Sequence, residues 1–418
     1  LALRLPSLKT ALFQTHWFLG ITAGMVLMVV GVTGGLLSFQ DEIMRALNPG
    51  VLTVAPRPEP RPAPAELIRR IEDGSGARVL ALNLAASPGR AVRATVSPPG
   101  APPQEGGGGR PPRGEPRYAD PWTGALLGAP TGDGFFRTTR ELHRWLLAGQ
   151  EGKVVVGVST IALVFLSLSG LYLRWPRRAL NLRTWFHISP RLRGRALNWR
   201  LHSVIGTWVL PLYVLMGLTG LFWSFDWYRN ALFDLTGAPR PAQAGPPRVE
   251  APPRVETPPR VEGAPREGAG GASRGERGPR PAPVDIDRAW AAFLRERPDY
   301  GTASLRIPSP GQPLRITYVD ADPAHEDARN TIAIDAADRV VEHRRYDDQP
   351  LAHQLMGSML ALHSGRYFGT VVTVLMMIAS LIMPLFGITG IILYLDRRRA
   401  KRAAAGRPRR RVAAQAAE

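Results

Sequence analysis

No cysteine occurs in the 418-residue chain. Disulfides, thiolate metal sites, a cysteine nucleophile and thioether attachment of a cofactor are therefore excluded. A glycine-rich phosphate loop and a dinucleotide fingerprint are also missing. Acidic residues are absent where ion or proton transport would need them. Four apolar runs, near 16–39, 154–175, 203–225 and 368–395, are long enough to cross a bilayer. They hold essentially no Asp or Glu, with Asp226 at one end. That removes a carboxylate-bridged metal site from the membrane and most of the support for a proton pump or ion channel. The first run ends in Phe39-Gln40-Asp41-Glu42 rather than in small residues, so it is expected to be an anchor and not a cleaved signal. Pro211 and Pro384 lie inside two runs, where membrane helices tolerate them.

The net charge of +19 is unevenly placed. Arg4 and Lys9 lie in 1–15, eight Arg and no acid lie in 174–200, and nine Lys or Arg face Asp396 and Glu418 in 396–418. The remainder is almost neutral. By the positive-inside rule the N-terminus, the middle loop and the C-terminus are expected in the cytoplasm and the two long loops outside. Nucleic acid is not an expected partner, whereas the lipid bilayer is.

The expected fold class is membrane α-helical. A first helix lies in 1–45, an outside domain in 51–140, a second helix in 141–176 and a basic loop in 177–200. A third helix lies in 201–230, a Pro/Arg-rich disordered linker in 238–283, a second outside domain in 284–350, a fourth helix in 351–396 and a basic tail in 397–418. Each outside domain reads as one helix on a small antiparallel sheet, an α+β unit. The first has a helix from Pro64 to Asp73, strands over Arg78–Leu84 and Ala91–Val96, and a hairpin over Tyr118–Leu127. The second has the helix VDIDRAWAAFLRERP, then strands over Leu314–Val319, Thr331–Ile334 and Val340–Tyr346. Asp120 and Asp335 fall at comparable turns. Residues 99–116, and the PPRVE repeats starting at Pro246, Pro252 and Pro258, hold too little apolar surface to fold.

The chain repeats itself. Aligning His16 with His202 also aligns Gly20 with Gly206, Gly31 with Gly217, Thr33 with Thr219, Gly34 with Gly220, Ser38 with Ser224 and Phe39 with Phe225. None of these identities is aliphatic, so lipid-facing composition does not explain them. His143 precedes Gly170, and His363 precedes Gly390, by the same 27 residues. The four helices thus read as a duplicated hairpin that keeps its histidines. Histidine in a bilayer is costly and needs a reason.

At 100° per residue, glycines 4, 15 and 18 residues after His16 or His202 fall at about 40°, 60° and 0°, on one stripe with the histidine. Gly20, Gly34, Gly206 and Gly220 would then leave a groove in which a flat macrocycle could lie. Two imidazoles at one depth suit bis-His ligation of a b-type haem. His16 and His202 form the expected cytoplasmic-side pair, and His143 and His363 the outer pair. His143 lies about ten residues before its apolar run, so a short lead-in helix broken near Gly149 is expected. His353 is the rival outer ligand. His187, His325 and His343 read as solvent-exposed. Trp17, Trp145, Trp199, Trp227 and Tyr394 read as an interfacial aromatic belt.

The motifs H-W-F-L-G at His16, L-H-R-W-L-L-x-G-x-x-G-K at His143, L-H-S-V-I-G at His202, L-H-S-G-R-Y-F-G at His363 and the hairpin Y-A-D-P-W-T-G resemble the PepSY-associated transmembrane (PepSY-TM) family. The resemblance covers nearly the whole chain apart from the low-complexity inserts and the tail. It implies PepSY-like outside domains and a multi-pass protein of the bacterial inner membrane. Some members are similar to di-haem reductases of ferric siderophores. That implies two b-type haems, ligated by His16 with His202 and by His143 with His363. The implied acceptor is a ferric siderophore or related iron chelate outside. Other members carry a flavoprotein reductase domain where this chain has a basic tail, so the implied donor is separate, a cytoplasmic flavin reductase or membrane quinol. Asn198 stands where the family commonly has an acid. The alternatives are a haem-free membrane anchor whose PepSY domains bind peptides or regulate a protease, and a haem carrier serving another periplasmic enzyme.

Overall fold

The computed structural model describes residues 7–98, 114–176, 178–238, 240 and 283–405. The expectations for 99–113, 241–282 and 406–418 lie outside them. Four helices are long and apolar enough to cross a membrane: Leu8–Leu37, Gly149–Arg174, Gly194–Ser224 and Thr370–Ala404. Their outward positions carry exposed apolar side chains such as Met25, Val158 and Val371, the pattern of a surface that meets lipid rather than water.

In chain order, α1 (Leu8–Leu37) is followed by a short α2 (Gln40–Leu47), then α3 (Pro64–Ser75) and strands β1 (Val79–Ala85), β2 (Val92–Val96), β3 (Glu115–Ala119) and β4 (Leu126–Gly128). Next come α4 (Asp133–Trp145), α5 (Gly149–Arg174), α6 (Leu182–Phe186), α7 (Gly194–Ser224) and α8 (Asp226–Thr236). The second half has α9 (Ile286–Glu296), β5 (Tyr300–Arg306), β6 (Leu314–Asp320), β7 (Asn330–Ile334) and β8 (Val340–Arg344). It ends with α10 (Leu351–Gly357), α11 (Met359–Ser364), α12 (Thr370–Leu381) and α13 (Met383–Ala405).

The break expected near Gly149 is present. Leu146, Leu147 and Gly149 all have positive φ between α4 and α5. The fourth helix is more divided than expected, and its pieces explain why. Gly365 and Gly369 have positive φ on either side of a turn at Arg366–Phe368. Pro384, which has no N–H to donate, is the second residue of α13, where that proton has no helical partner anyway. The basic tail begins as helix: α13 runs to Ala405 because RRRAKRAAA is a sequence of good helix formers. The middle loop is likewise partly ordered. Arg174 donates to the carbonyls of Thr184 (2.8 Å) and Trp185 (3.0 Å) in α6 and of Ser203 in α7.

Two separate outside domains were expected, but the described strands form a single sheet in the order β4-β3-β2-β1-β5-β6-β7-β8. The halves join through antiparallel β1 and β5, with Leu82 opposite Leu305 and Asn83 opposite Ser304. β5 was absent from the expected strands. An isolated half-sheet would leave β1 an open edge, and pairing with β5 satisfies it. Both helices share one core: Ile71 of α3 and Phe293 of α9 are buried together with Leu82, Leu305, Ile316 and Ile332. Burying each such side chain contributes about 1.5–3 kcal/mol. Asp287 on α9 accepts from the backbone N–H of Ala65 at the start of α3 (2.8 Å), tying the two helices directly. Glu115 and Pro116, expected to be unstructured, open β3.

The comparable turns at Asp120 and Asp335 are present. Asp120 Oδ1 accepts from the N–H groups of Trp122 and Thr123 (2.8 and 2.9 Å), and Asp335 Oδ1 from those of Ala337 and Arg339 (2.9 and 3.0 Å). Burial alone would raise the Asp120 carboxyl, but those two N–H groups and Arg57 hold it below the usual carboxylate range.

Directly opposed residues on antiparallel strands have Cα atoms about 4.5–5.5 Å apart, within disulfide reach. The chain has no cysteine of its own. The paired changes Asn83→Cys and Ser304→Cys are therefore expected to give one intramolecular disulfide, seen as a reductant-sensitive shift in gel mobility. Free thiols after oxidation would contradict the joined sheet.

Candidate functional site

The bundle brings the histidines together as two pairs. His16 on α1 and His202 on α7 have ring centroids 6.4 Å apart, and His143 on α4 and His363 on α11 have theirs also 6.4 Å apart. A metal in line between two imidazole nitrogens at about 2.0–2.1 Å from each separates the ring centres by about 6.3–6.5 Å, counting about 1.15 Å from nitrogen to ring centre. An edge-to-face aromatic contact falls in the same range, so the spacing needs its surroundings to be interpreted.

Those surroundings repeat at all four rings. Each histidine meets a hydroxyl residue followed by glycine on a neighbouring helix: Ser169-Gly170 for His16, Thr389-Gly390 for His202, Thr33-Gly34 for His143 and Thr219-Gly220 for His363. The Nδ1-to-hydroxyl distances are 2.8, 2.8, 3.2 and 3.0 Å in that order. Three of the glycines let the rings in. A Cβ built on Gly34 would lie 2.9 Å from Cε1 of His143, and those on Gly220 and Gly170 would lie 3.2 Å from His363 and His16.

At three of the four rings the partners also decide the tautomer. Thr219 and Thr389 donate their single proton to the carbonyls of Leu215 and Leu385, both at 2.6 Å. They must then accept from Nδ1–H of His363 and His202. His143 Nδ1 lies 2.9 Å from the carbonyl of Val30, which can only accept. With the proton on Nδ1, the lone pair is on Nε2, free to bind a metal, and the hydroxyls orient the rings.

Each pair opens into a cavity. The sheet-distal cavity, about 1250 Å³, is walled by His16, His202, Gly20, Gly206, Gly170 and Gly390 among others. The sheet-proximal cavity, about 1010 Å³, is walled by His143, His363, Gly34 and Gly220, and reaches Glu326 and Tyr346 of the sheet unit. The expected glycine grouping is thereby divided. Gly34 and Gly220 share a face with His16 and His202, but 18 residues of helix is about 27 Å, and they serve the other pair. Leu27, Leu163 and Met383 line both cavities, so one layer of side chains separates them. Among the described residues no group of three or more His, Cys, Asp or Glu could hold a bare metal ion. Paired imidazoles beside a large apolar cavity fit a metal that brings its own equatorial ligands, as haem does.

His353 lies in the wall of the sheet-proximal cavity, and its buried Nδ1 has no hydrogen-bond partner among the described residues. His187 and His343 are exposed as expected. His325 is not: it is 4% exposed. The loop after β6 folds it against Tyr346 and Ser358, both 2.9 Å from Nε2. Ser358 precedes α11, so this network braces the helix that carries His363. The hydroxyls of Ser169 and Thr389 were missed in the sequence, although each directly precedes a glycine already matched between the two halves of the chain.

The family described as PepSY-associated TM region matches residues 13–397. The chain belongs to that family. It is a multi-pass membrane protein with four apolar spans. It is also similar to an uncharacterized protein of Pseudomonas aeruginosa, 34% identical over 121 residues. The match covers 25% of this chain and 29% of that protein's own length.

Burial holds His325 below its ordinary value, against the upward pull of Asp327. The folded protein then binds this proton less readily than the unfolded chain. Its contribution to stability is full above about pH 6.5 and is lost as pH falls below that. Thermal unfolding is expected to shift down between pH 7 and pH 5, and His325→Gln, though less stable at pH 7, is expected to show a smaller shift. Equal shifts would count against the buried network.

Proposed function

We propose that this PepSY-TM protein is a di-haem b-type reductase of the bacterial inner membrane. It passes electrons from the cytoplasmic side to a ferric siderophore or related iron chelate outside, releasing Fe(II). Its two PepSY-like halves arise from a duplicated hairpin. The observation that carries this reading is the second pair of imidazoles, placed at the same 6.4 Å as the first and in a separate cavity. A haem held by such a pair would supply reversible one-electron chemistry without a protein nucleophile or general base.

The chain's own residues have three tasks. His16 with His202, and His143 with His363, would hold the two haems through Nε2. Ser169, Thr389, Thr33, Val30 and Thr219 fix ring orientation and raise ligand basicity. Leu27, Leu163 and Met383, which line both cavities, would form the apolar layer between the two sites. The charge distribution supports N- and C-termini in the cytoplasm, which puts His16 and His202 on the donor side and the sheet outside. The donor is a soluble flavin reductase or membrane quinol.

The purified protein is expected to show a b-type spectrum and two haems per chain in a pyridine assay. His16→Ala or His202→Ala removes one haem, and His143→Ala or His363→Ala removes the other. A colourless protein from haem-replete cells points instead to a haem-free peptide-binding anchor. Dithionite-reduced protein that no ferric chelate reoxidises points to a carrier for another enzyme. Thr389→Val keeps His202 but removes the hydroxyl that accepts from its Nδ1, and is expected to weaken haem retention at that site about 10–100-fold, measured by haem transfer to an apo-globin acceptor. Unchanged retention would remove the tautomer argument.

A further inference from the structure

The sheet-proximal cavity does not end at its histidines. Its upper wall is polar and reaches the sheet unit, and it carries Arg140, Arg144, Lys153, Arg329 and Arg366 against Asp41, Glu326 and Asp327. Two of these cations are already paired. Arg366 bonds Glu326, and Arg329 lies 3.3 Å from Asp327. Arg140, Arg144 and Lys153 remain, with Asp41 as the one acid left over. Among the described residues none of the three has a carboxylate within salt-bridge distance. Arg140 donates to the neutral Gln40 side chain (2.8 Å), and Arg144 lies over the Trp145 ring (4.4 Å to its centre). Arg140 and Arg144 are one helical turn apart, a like-charge spacing that disfavours the helix unless an anion lies between them.

The positive-inside rule does not account for this cluster. It explains the basic residues around the sheet-distal cavity, such as Lys9, Arg397 and Lys401, which belong to the three basic segments. At the opposite end the rule asks for no excess. The wall also contains His353, whose buried Nδ1 lacks a partner among the described residues. A buried unpaired nitrogen is costly, and a ligand group in this space would relieve it.

We propose that Arg140, Arg144 and Lys153 form an oxyanion-binding vestibule over the His143–His363 pair, which takes carboxylate groups. Two sources share that chemistry: the propionates of a haem held by that pair, and an acidic ferric chelate taken up by the vestibule itself. The proposal rests on the haem reading for its first source only. Both sources suit charge-assisted hydrogen bonds from arginine, which match a carboxylate two bonds at a time.

The test uses full-length protein in detergent with Arg140→Gln and Arg144→Gln combined, and separately Lys153→Gln. Haem content, the two midpoint potentials and reoxidation by ferric citrate and by a neutral trihydroxamate chelate are measured. If propionates are held, the haem on His143 and His363 is lost or its midpoint falls, while the other haem is unchanged. If the chelate is held, the KM for ferric citrate rises about tenfold, the factor expected from about 1.4 kcal/mol of lost binding, and the neutral chelate is unaffected. Wild-type haem content, potentials and KM in both variants would overturn the vestibule. Haem-free wild-type protein would sink the proposed function alone. The vestibule is then read by calorimetric titration with citrate, which must bind wild type more tightly than the arginine variant or the proposal fails.

Discussion

Four imidazoles in the bundle are each received by two consecutive residues on a neighbouring helix: a hydroxyl within hydrogen-bond reach of Nδ1 and a glycine, which at three of the four leaves room for Cε1. Much of the membrane part follows from this contact. It brings α1 against α5 and α4, and α7 against α13 and α11, because each hydroxyl-glycine step lies one span away from its histidine. Each such contact lies within one half of the chain, and the paired rings join the halves. The breaks at Leu146–Gly149 and Gly365–Gly369 separate the helices that carry His143 and His363 from the rods that follow them.

The spans and the pairing of histidines were legible because each leaves a signal that survives in one sequence. An apolar run as long as a bilayer is thick is rarely anything but a span, and polar identities repeated in register between apolar segments are hard to reach by composition alone. The helical angle of Gly34 relative to His16 was equally legible, but an angle says which face a residue occupies and not at what height. Gly34 and Gly220 were therefore grouped with the wrong histidines. The hydroxyls at Ser169 and Thr389 were overlooked for a chemical reason: serine and threonine differ as letters but present the same acceptor.

The sheet was the least legible part. β5, YGTASLR, is poor in β-branched and aromatic residues, and its role depends on a strand more than 200 residues earlier. Nothing local announces such a partner. The same holds for His325, a polar residue in a loop whose burial comes from Tyr346 and Ser358 beyond the next two strands. Long-range closure, not local propensity, set both outcomes.

The joined sheet has a mechanical consequence. It is fastened to the bundle at both ends. Asn48, just past α2, bonds the carbonyl and N–H of Thr131 ahead of α4 (3.0 and 2.6 Å), and Tyr346, just past β8, bonds Ser358 ahead of α11 (2.7 Å). An eight-stranded sheet with two helices on one face is stiff along its hydrogen bonds. It works as a cross-beam between the helices bearing His143 and His363. The two helices that carry those rings are thus joined through one continuous hydrogen-bonded sheet.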